Sequence, residues 1–103
     1  MSFLNKVFLY SSRISAAIIN HITEHPDDES SDPAFVENMK KEWESLKADL
    51  NEEEANKVKQ NVKKLLDQWL KNLKVEAGKK AEELKKAEAF YNRALGLADK
   101  IFG

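Results

Sequence analysis

Residues 51–78, NEEEANKVKQNVKKLLDQWLKNLKVEAG, contain the start, the buried face and the end of one helix. Asn51 is a favoured N-cap residue, and Glu54 three positions later completes a capping box with it. Apolar residues then recur every three or four positions, as on one helix face: Val58, Val62, Leu65, Leu66, Trp69, Leu70 and Leu73. The stretch predicts a helix over residues 52–77.

Gly78 is the one helix breaker between this helix and the apolar pattern that follows it. We interpret it as a C′ glycine, which predicts a separate fourth helix over residues 79–102. The alternative is a three-helix chain with one continuous helix over residues 51–102, which would need a dimer to cover its apolar stripe. A Gly inside a helix lowers stability by only about 1 kcal/mol. Gly78 alone therefore does not decide between two separate helices and one continuous helix. Four helices are favoured because they close a core within one chain.

The first helix is expected from about residue 2 to residue 24, with Ser2 as its N-cap. Its predicted buried stripe consists of apolar residues at three- and four-residue spacing: Leu4, Val7, Phe8, Ile14, Ile18 and Ile22. Residues 25–31, HPDDESS, follow as a loop, because Pro26 disfavours helix at the residue before it and the acidic run is solvated.

Asp32 and Pro33 are expected to open a second helix over residues 33–50. Asp is a favoured N-cap, and Pro in the first turn loses no hydrogen bond. The predicted stripe of this helix is Phe35, Met39, Trp43, Leu46 and Leu50.

Length and composition agree with one all-α domain over residues 1–103. The chain is 42% apolar and 34% charged, and its three Gly and two Pro leave few turns for a many-stranded sheet. The fold class predicted is an antiparallel up-down-up-down four-helix bundle. A monomer is favoured over a dimer.

Several function classes are excluded by composition. The absence of cysteine removes disulfides, thiolate catalysis and cysteine-based zinc or iron–sulfur sites. A net charge of −1 does not suit phosphate-driven nucleic-acid binding. The apolar-leaning segment over residues 3–22 contains charged and amide side chains, so neither a membrane span nor a signal peptide is expected. The chain is expected to be soluble, with its compartment unknown.

No catalytic, metal or cofactor site is predicted. His21 and His25 are four residues apart on one helix face, as a metal pair requires, but no third ligand lies near them in sequence. The carboxylates lie beside lysines on outward faces, and no nucleophile, base or phosphate loop is recognisable. We therefore expect a protein that is not an enzyme.

The first helix has an unusual outer side. We use the name outward strip for the residues opposite its apolar arc: Asn5, Leu9, Ser12, Arg13, Ala16 and Asn20. An exposed Leu beside amides and one Arg is typical of a protein-recognition surface. The strip could equally belong to a helix that is simply the most buried of the bundle. The end of the fourth helix, with Gly96 on its outer side, could extend the same surface.

The chain resembles computationally designed bundles in its helix-capping residues, in the Lys and Glu on its outer helix faces and in its frequent Ala. The layout of four helices with a longer first loop resembles the designed mimetics of helical interleukins, and two stretches are similar in pattern to theirs: residues 67–74, DQWLKNLK, and residues 100–103, KIFG. The resemblance implies a receptor as the class of partner. It names no receptor, because the receptor-contacting pattern of those mimetics is not reproduced on the first helix.

The function predicted is protein binding through the outward strip, and the strip is the predicted partner-binding site. The alternative is a purely structural design, or a bundle that assembles with itself through the same strip. A small-molecule cavity in the core is the third possibility.

Overall fold

A computed structural model describes the backbone of residues 3–103 and the side chains from Asn5 onward. Four α-helices account for most of it: α1 Phe3–Glu24, α2 Asp32–Lys47, α3 Glu52–Ala77 and α4 Ala81–Phe102. One 3-10 turn, Glu29–Ser31, precedes α2. The predicted all-α four-helix bundle is confirmed. The N-cap predicted at Ser2 lies outside the described residues.

Consecutive helices alternate in direction. His21 of α1 contacts Asp32 at the start of α2, and Arg13 pairs with Glu42 further along α2, so these two helices are antiparallel. In the same way α3 and α4 are antiparallel, because Lys74 pairs with Glu88 and Lys63 with Asp99.

Around the bundle the order of the helices is α1, α3, α4, α2. The closest packing is between α1 and α3 and between α3 and α4, followed by α2 against α4. The pairs α1/α3 and α2/α4 each run in parallel. Asp32 and Trp43 of α2 contact Arg93 and Phe102 of α4 in the same order along the chain.

The core is formed mostly by residues of the predicted stripes, but Leu65, Leu70 and Leu73 of the third stripe are only half-buried and lie outside it. The apolar side chains with at most 1% exposed surface are Ile14, Ile18, Ile22, Trp43, Val58, Val62, Leu66, Ala94 and Ala98. Phe8, predicted among the buried residues, is 68% exposed. One helical step turns it about 100° beyond Val7, which is buried, and this rotation moves its ring out of the core. The side chain of Leu4, in the same stripe, lies outside the described residues.

Local signals at helix ends predicted one N-cap correctly and one wrongly. The capping box at α3 is present, since Glu54 N donates to Asn51 Oδ1 at 2.8 Å and Asn51 N donates to Glu54 Oε1 at 2.9 Å. Asp32, predicted as the N-cap of the second helix, is instead the first residue of α2. Ser31 occupies the N-cap position and its side chain makes no capping hydrogen bond. The Asp32 carboxylate is directed to other partners, described below.

Gly78 separates α3 from α4, as predicted. It has φ +62° and ψ −124°, and its N–H donates to Lys74 O at 3.1 Å. A residue with a Cβ is strained in this conformation, which glycine adopts readily. A continuous helix over residues 51–102 is therefore wrong. The fourth helix begins at Ala81, two residues later than predicted, and α2 ends at Lys47, before a turn that leads to Asn51.

Gly78→Ala and Gly96→Ala are expected to change stability in opposite directions. Gly78 requires positive φ, so Ala should lower the free energy of unfolding by about 1–2 kcal/mol. Gly96 lies inside α4 with open space around its Cα. Ala should raise the free energy of unfolding there by about 0.5–1 kcal/mol. Urea unfolding of both variants measures the difference. A stabilising effect at both positions would contradict the helix break.

Candidate functional site

The outward strip lies on the solvent side of α1. Leu9 is 47% exposed, Asn5, Arg13, Ala16 and Asn20 are exposed, and Ser12 is half-buried. None of the six residues belongs to the core. Their partner-binding role stays a prediction, while their outward placement satisfies its first requirement.

Arg13 stands at the edge of the strip and is directed toward α2. Its Nε lies 3.3 Å from Glu42 Oε1, and its side chain is 59% exposed. An exposed ion pair of this kind contributes less than about 1 kcal/mol to folding. The charge of Arg13 is thus partly neutralised, and the rest of the strip carries no charge.

A groove runs along the strip where α1 meets α3. Its walls are residues from both helices in register: Ser12, Ser15, Ala16, Ile19, Leu65, Gln68, Trp69 and Asn72. None of these eight residues is charged, although 34% of the chain is. Leu65 and Trp69, both in the predicted stripe, remain partly exposed in this groove, and Trp69 packs against the core.

Three large apolar side chains are exposed among residues 5–103: Phe8, Leu9 and Val75, which is 81% exposed. Phe8 and Leu9 precede Ser12, which lines the groove, by four and three residues, so they lie on the same side of α1 as Ser12. Val75 follows Asn72 of the groove by three residues, one turn further along α3. Exposed apolar side chains gathered on one face of a soluble domain mark interaction surfaces.

We use the name α1–α3 face for the surface made by the uncharged strip residues, the groove and these side chains. It consists of Asn5, Phe8, Leu9, Ser12, Ser15, Ala16, Ile19, Asn20, Leu65, Gln68, Trp69, Asn72 and Val75. Asn5, Leu9, Ser12, Ala16 and Asn20 of this face were predicted from the sequence, whereas Phe8 was expected in the core. The α3 half was missed, although the outer position of Val75 could have been found by projecting the third helix as the first was projected.

Lysines line the α3 edge of this face. Lys57, Lys64 and Lys71 recur at seven-residue spacing and are exposed, and we call them the lysine row. Lys64 and Lys71 flank Gln68, which lies in the groove, at i−4 and i+3. No ion pair within residues 5–103 involves any of the three. Asp67, between Lys64 and Lys71, accepts a hydrogen bond from the Tyr91 hydroxyl of α4. The lysine row therefore adds to the α3 edge positive charge that is not paired within the described residues.

The end of α4 lies beside α2. Phe102 packs against the edge of the Trp43 ring at a centroid distance of 4.9 Å, and Glu42 beside Trp43 pairs with Arg13 of the outward strip. The end of α4 is thus level with the middle of α1. The joint surface of the strip with the end of α4 stays a prediction.

A buried polar cluster joins the loop to α4. Arg93 Nε and Nη2 donate to the two carboxylate oxygens of Asp32 at 3.0 and 2.7 Å. Arg93 also donates to the carbonyl oxygens of His25 and Asp28 at 2.8 and 3.2 Å. The hydrogen bond from Arg93 lowers the pKa of Asp32, and His21, 2.7 Å away, lowers it further against the opposing effect of burial. The cluster fixes the loop to the bundle.

The same cluster does not form a catalytic triad. Asp32 Oδ1 and Ser31 Oγ both approach Nε2 of His21, at 2.7 and 3.4 Å. A triad needs the carboxylate on one ring nitrogen and the hydroxyl on the other, so that the ring can accept the hydroxyl proton. The His21 ring is also stacked on Phe35 at 4.1 Å. These contacts are typical of a histidine with a structural role.

His21 and His25 have ring centroids 5.1 Å apart. Among the described residues, no three His, Asp or Glu side chains converge so as to hold a metal ion. No helix within that part of the chain combines the length and hydropathy needed to cross a membrane. The chain matches no protein-family model, no curated protein and no solved structure.

Proposed function

We propose that this chain is a non-enzymatic helical bundle, of designed origin, that binds another protein such as a receptor through α1. The observation that carries the proposal is the contrast between the two sides of that helix. Ile14, Ile18 and Ile22 are 0% exposed, whereas Leu9 on the opposite side is 47% exposed. Five of the six strip residues are uncharged, and Arg13 is paired with Glu42. In a surface rich in lysine and glutamate, an outer side with so little charge gives no benefit to solubility and suits a protein contact.

The residue types of the outward strip support recognition rather than mere burial. Leu9 offers an apolar anchor, Ala16 allows a close approach of a partner backbone, and Asn5 and Asn20 can exchange hydrogen bonds with a partner. Helix-face anchors at such spacing are one of the common recognition modes. The helix caps and the Lys/Glu facing support designed origin.

A second candidate is self-assembly through the same surface. It is favoured by the exposure of Phe8 and Val75, because apolar side chains of this size are often covered in an oligomer. Size-exclusion chromatography with light scattering separates the two proposals. A stable dimer that dissociates when Leu9 is changed to Glu would support self-assembly.

The test of protein binding is the double variant Leu9→Glu/Ala16→Glu. We expect its free energy of unfolding to stay within about 0.5 kcal/mol of the parent value, since both residues are on the surface. We expect its binding to a panel of purified receptor ectodomains, measured by biolayer interferometry, to be lost. Ser45→Glu, an exposed change on α2, is the matched control and should bind as the parent does.

Two results would refute the proposal. A large loss of stability in Leu9→Glu/Ala16→Glu would mean that the strip is part of the core. The proposal would also be refuted if no ectodomain bound the parent chain. The same conclusion would follow if the double variant bound as well as Ser45→Glu.

A further inference from the structure

The α1–α3 face has the shape that a third helix needs. Because α1 and α3 are parallel neighbours, the groove between them is continuous from Ser12 and Leu65 to Ile19 and Asn72. Its α1 wall contains the small residues Ser12, Ser15 and Ala16, over which a helix can pack closely. Ile19, Leu65 and Trp69 supply the apolar surface that such a helix would cover.

The length of the face corresponds to an ordinary helix. The groove extends from Ser12 to Ile19 on α1 and from Leu65 to Asn72 on α3, which is seven residues or about 10 Å along each helix. A docked helix of about four turns, a common length in proteins, would cover the groove and extend about one turn beyond each end. Leu9 precedes Ser12 by three residues and Val75 follows Asn72 by three.

The lysine row adds a charge requirement. Its members are seven residues apart, which places their ammonium groups about 10 Å from one another along α3. A docked helix that runs beside α3 would place its own residues at the same seven-residue intervals opposite them. Carboxylates at those positions would pair with the row, as flanking charges do in coiled coils.

We propose that the α1–α3 face binds an acidic amphipathic α-helix of a partner protein, with its apolar side in the groove and its carboxylates along the lysine row. This inference rests on the proposed function and names the kind of partner. A lipid surface suits the face less well, because Asn20, Gln68 and Asn72 would lose hydrogen bonds in hydrocarbon. A nucleic acid would need more than a single row of lysines in a chain of net charge −1.

The probe is a labelled 21-residue peptide with Leu at positions a and d of three heptads and Glu at positions e and g. A second peptide has Lys in place of each Glu. Fluorescence anisotropy at low salt, at peptide concentrations where each is monomeric, should show binding of the acidic peptide at least about tenfold tighter than of the basic one. Leu9→Glu should weaken binding of the acidic peptide at least about tenfold.

The charge requirement is tested by removing the row. Lys57→Gln/Lys64→Gln/Lys71→Gln should weaken binding of the acidic peptide about tenfold at low salt and less at high salt. The matched control, Lys79→Gln/Lys80→Gln/Lys85→Gln, removes the same charge from exposed positions in the α3–α4 connection and the first turns of α4, and should leave binding unchanged. Equal losses in the two triple variants would refute a specific role for the row.

Other outcomes separate this inference from the proposed function. If both peptides bind equally and both are lost in Leu9→Glu, the face docks helices without a charge preference; the inference fails and the proposed function stands. If neither peptide binds the parent chain, the inference fails, and the receptor panel judges the proposed function separately. Binding of the parent to anionic phospholipid vesicles, lost in Leu9→Glu, would overturn the inference in favour of a membrane surface.

Discussion

Replacing Arg93 with Met is expected to lower the free energy of unfolding by about 3 kcal/mol. The Arg93 side chain is 7% exposed and the Asp32 side chain 13%, so removal of the guanidinium leaves a carboxylate largely shielded from water without its main partner. The carbonyl oxygens of His25 and Asp28 lose their donor at the same time. Because Met has an aliphatic side chain similar to that of Arg, the loss in free energy of unfolding measures the effect of the guanidinium charge and its hydrogen bonds. Urea unfolding at neutral pH measures it.

Arg13→Met is the matched control, because Arg13 is the only other arginine in the chain. It pairs with Glu42, but its side chain is 59% exposed and that of Glu42 is 38% exposed. Because water can solvate the Glu42 carboxylate in this variant, the expected change is below about 1 kcal/mol. Similar losses of stability in Arg13→Met and Arg93→Met would contradict the view that burial makes the hydrogen bonds of Arg93 important.

The parts of the fold that the sequence predicted are those determined by neighbours along the chain. Asn51 and Glu54 are three residues apart, and Gly78 needs only its own φ, so both could be identified without knowledge of the tertiary structure. The Arg93–Asp32 contact joins residues 61 positions apart, and only the packing of α4 beside α2 brings them together. Asp32 was consequently interpreted from its local context, as an N-cap.

Phe8 shows a second limit of predicting burial from apolar periodicity. A stripe of apolar residues indicates that a face is buried, but its width depends on how many neighbours cover the helix. The cover on α1 includes Val7 and Ile14 and stops short of Phe8, which is 68% exposed. A residue at the margin of an apolar arc can therefore be core or surface, and the sequence does not distinguish the two.

The candidate site was half predicted for the same reason. The outward strip follows from the periodicity of one helix, and its position on the surface agrees with the structure. The contribution of α3 depends on the order of helices around the bundle, which periodicity does not contain. Once α1 and α3 are neighbours, Leu65 and Trp69 line a groove instead of lying wholly in the core.

Stability should also depend on pH through Asp32. Arg93 and then His21 lower the pKa of this carboxyl in the folded chain, and burial opposes them. A group whose folded pKa lies below its unfolded value, about 3.9 for Asp, stabilises the fold fully above the unfolded value. That contribution is lost as pH falls from about 4 through the folded pKa.

Asp32→Asn isolates this contribution. The variant keeps the shape of the side chain but has no titrating carboxyl, so it should be less stable than the parent by about 2 kcal/mol at neutral pH. The difference in free energy of unfolding should stay constant down to about pH 5 and then shrink below about pH 4, because protonation deprives the parent of the same charge. Urea unfolding across this range tests the expectation. A difference that stays constant or widens at acidic pH would show that the ionised carboxylate of Asp32 is not what holds Arg93 and the loop against the bundle.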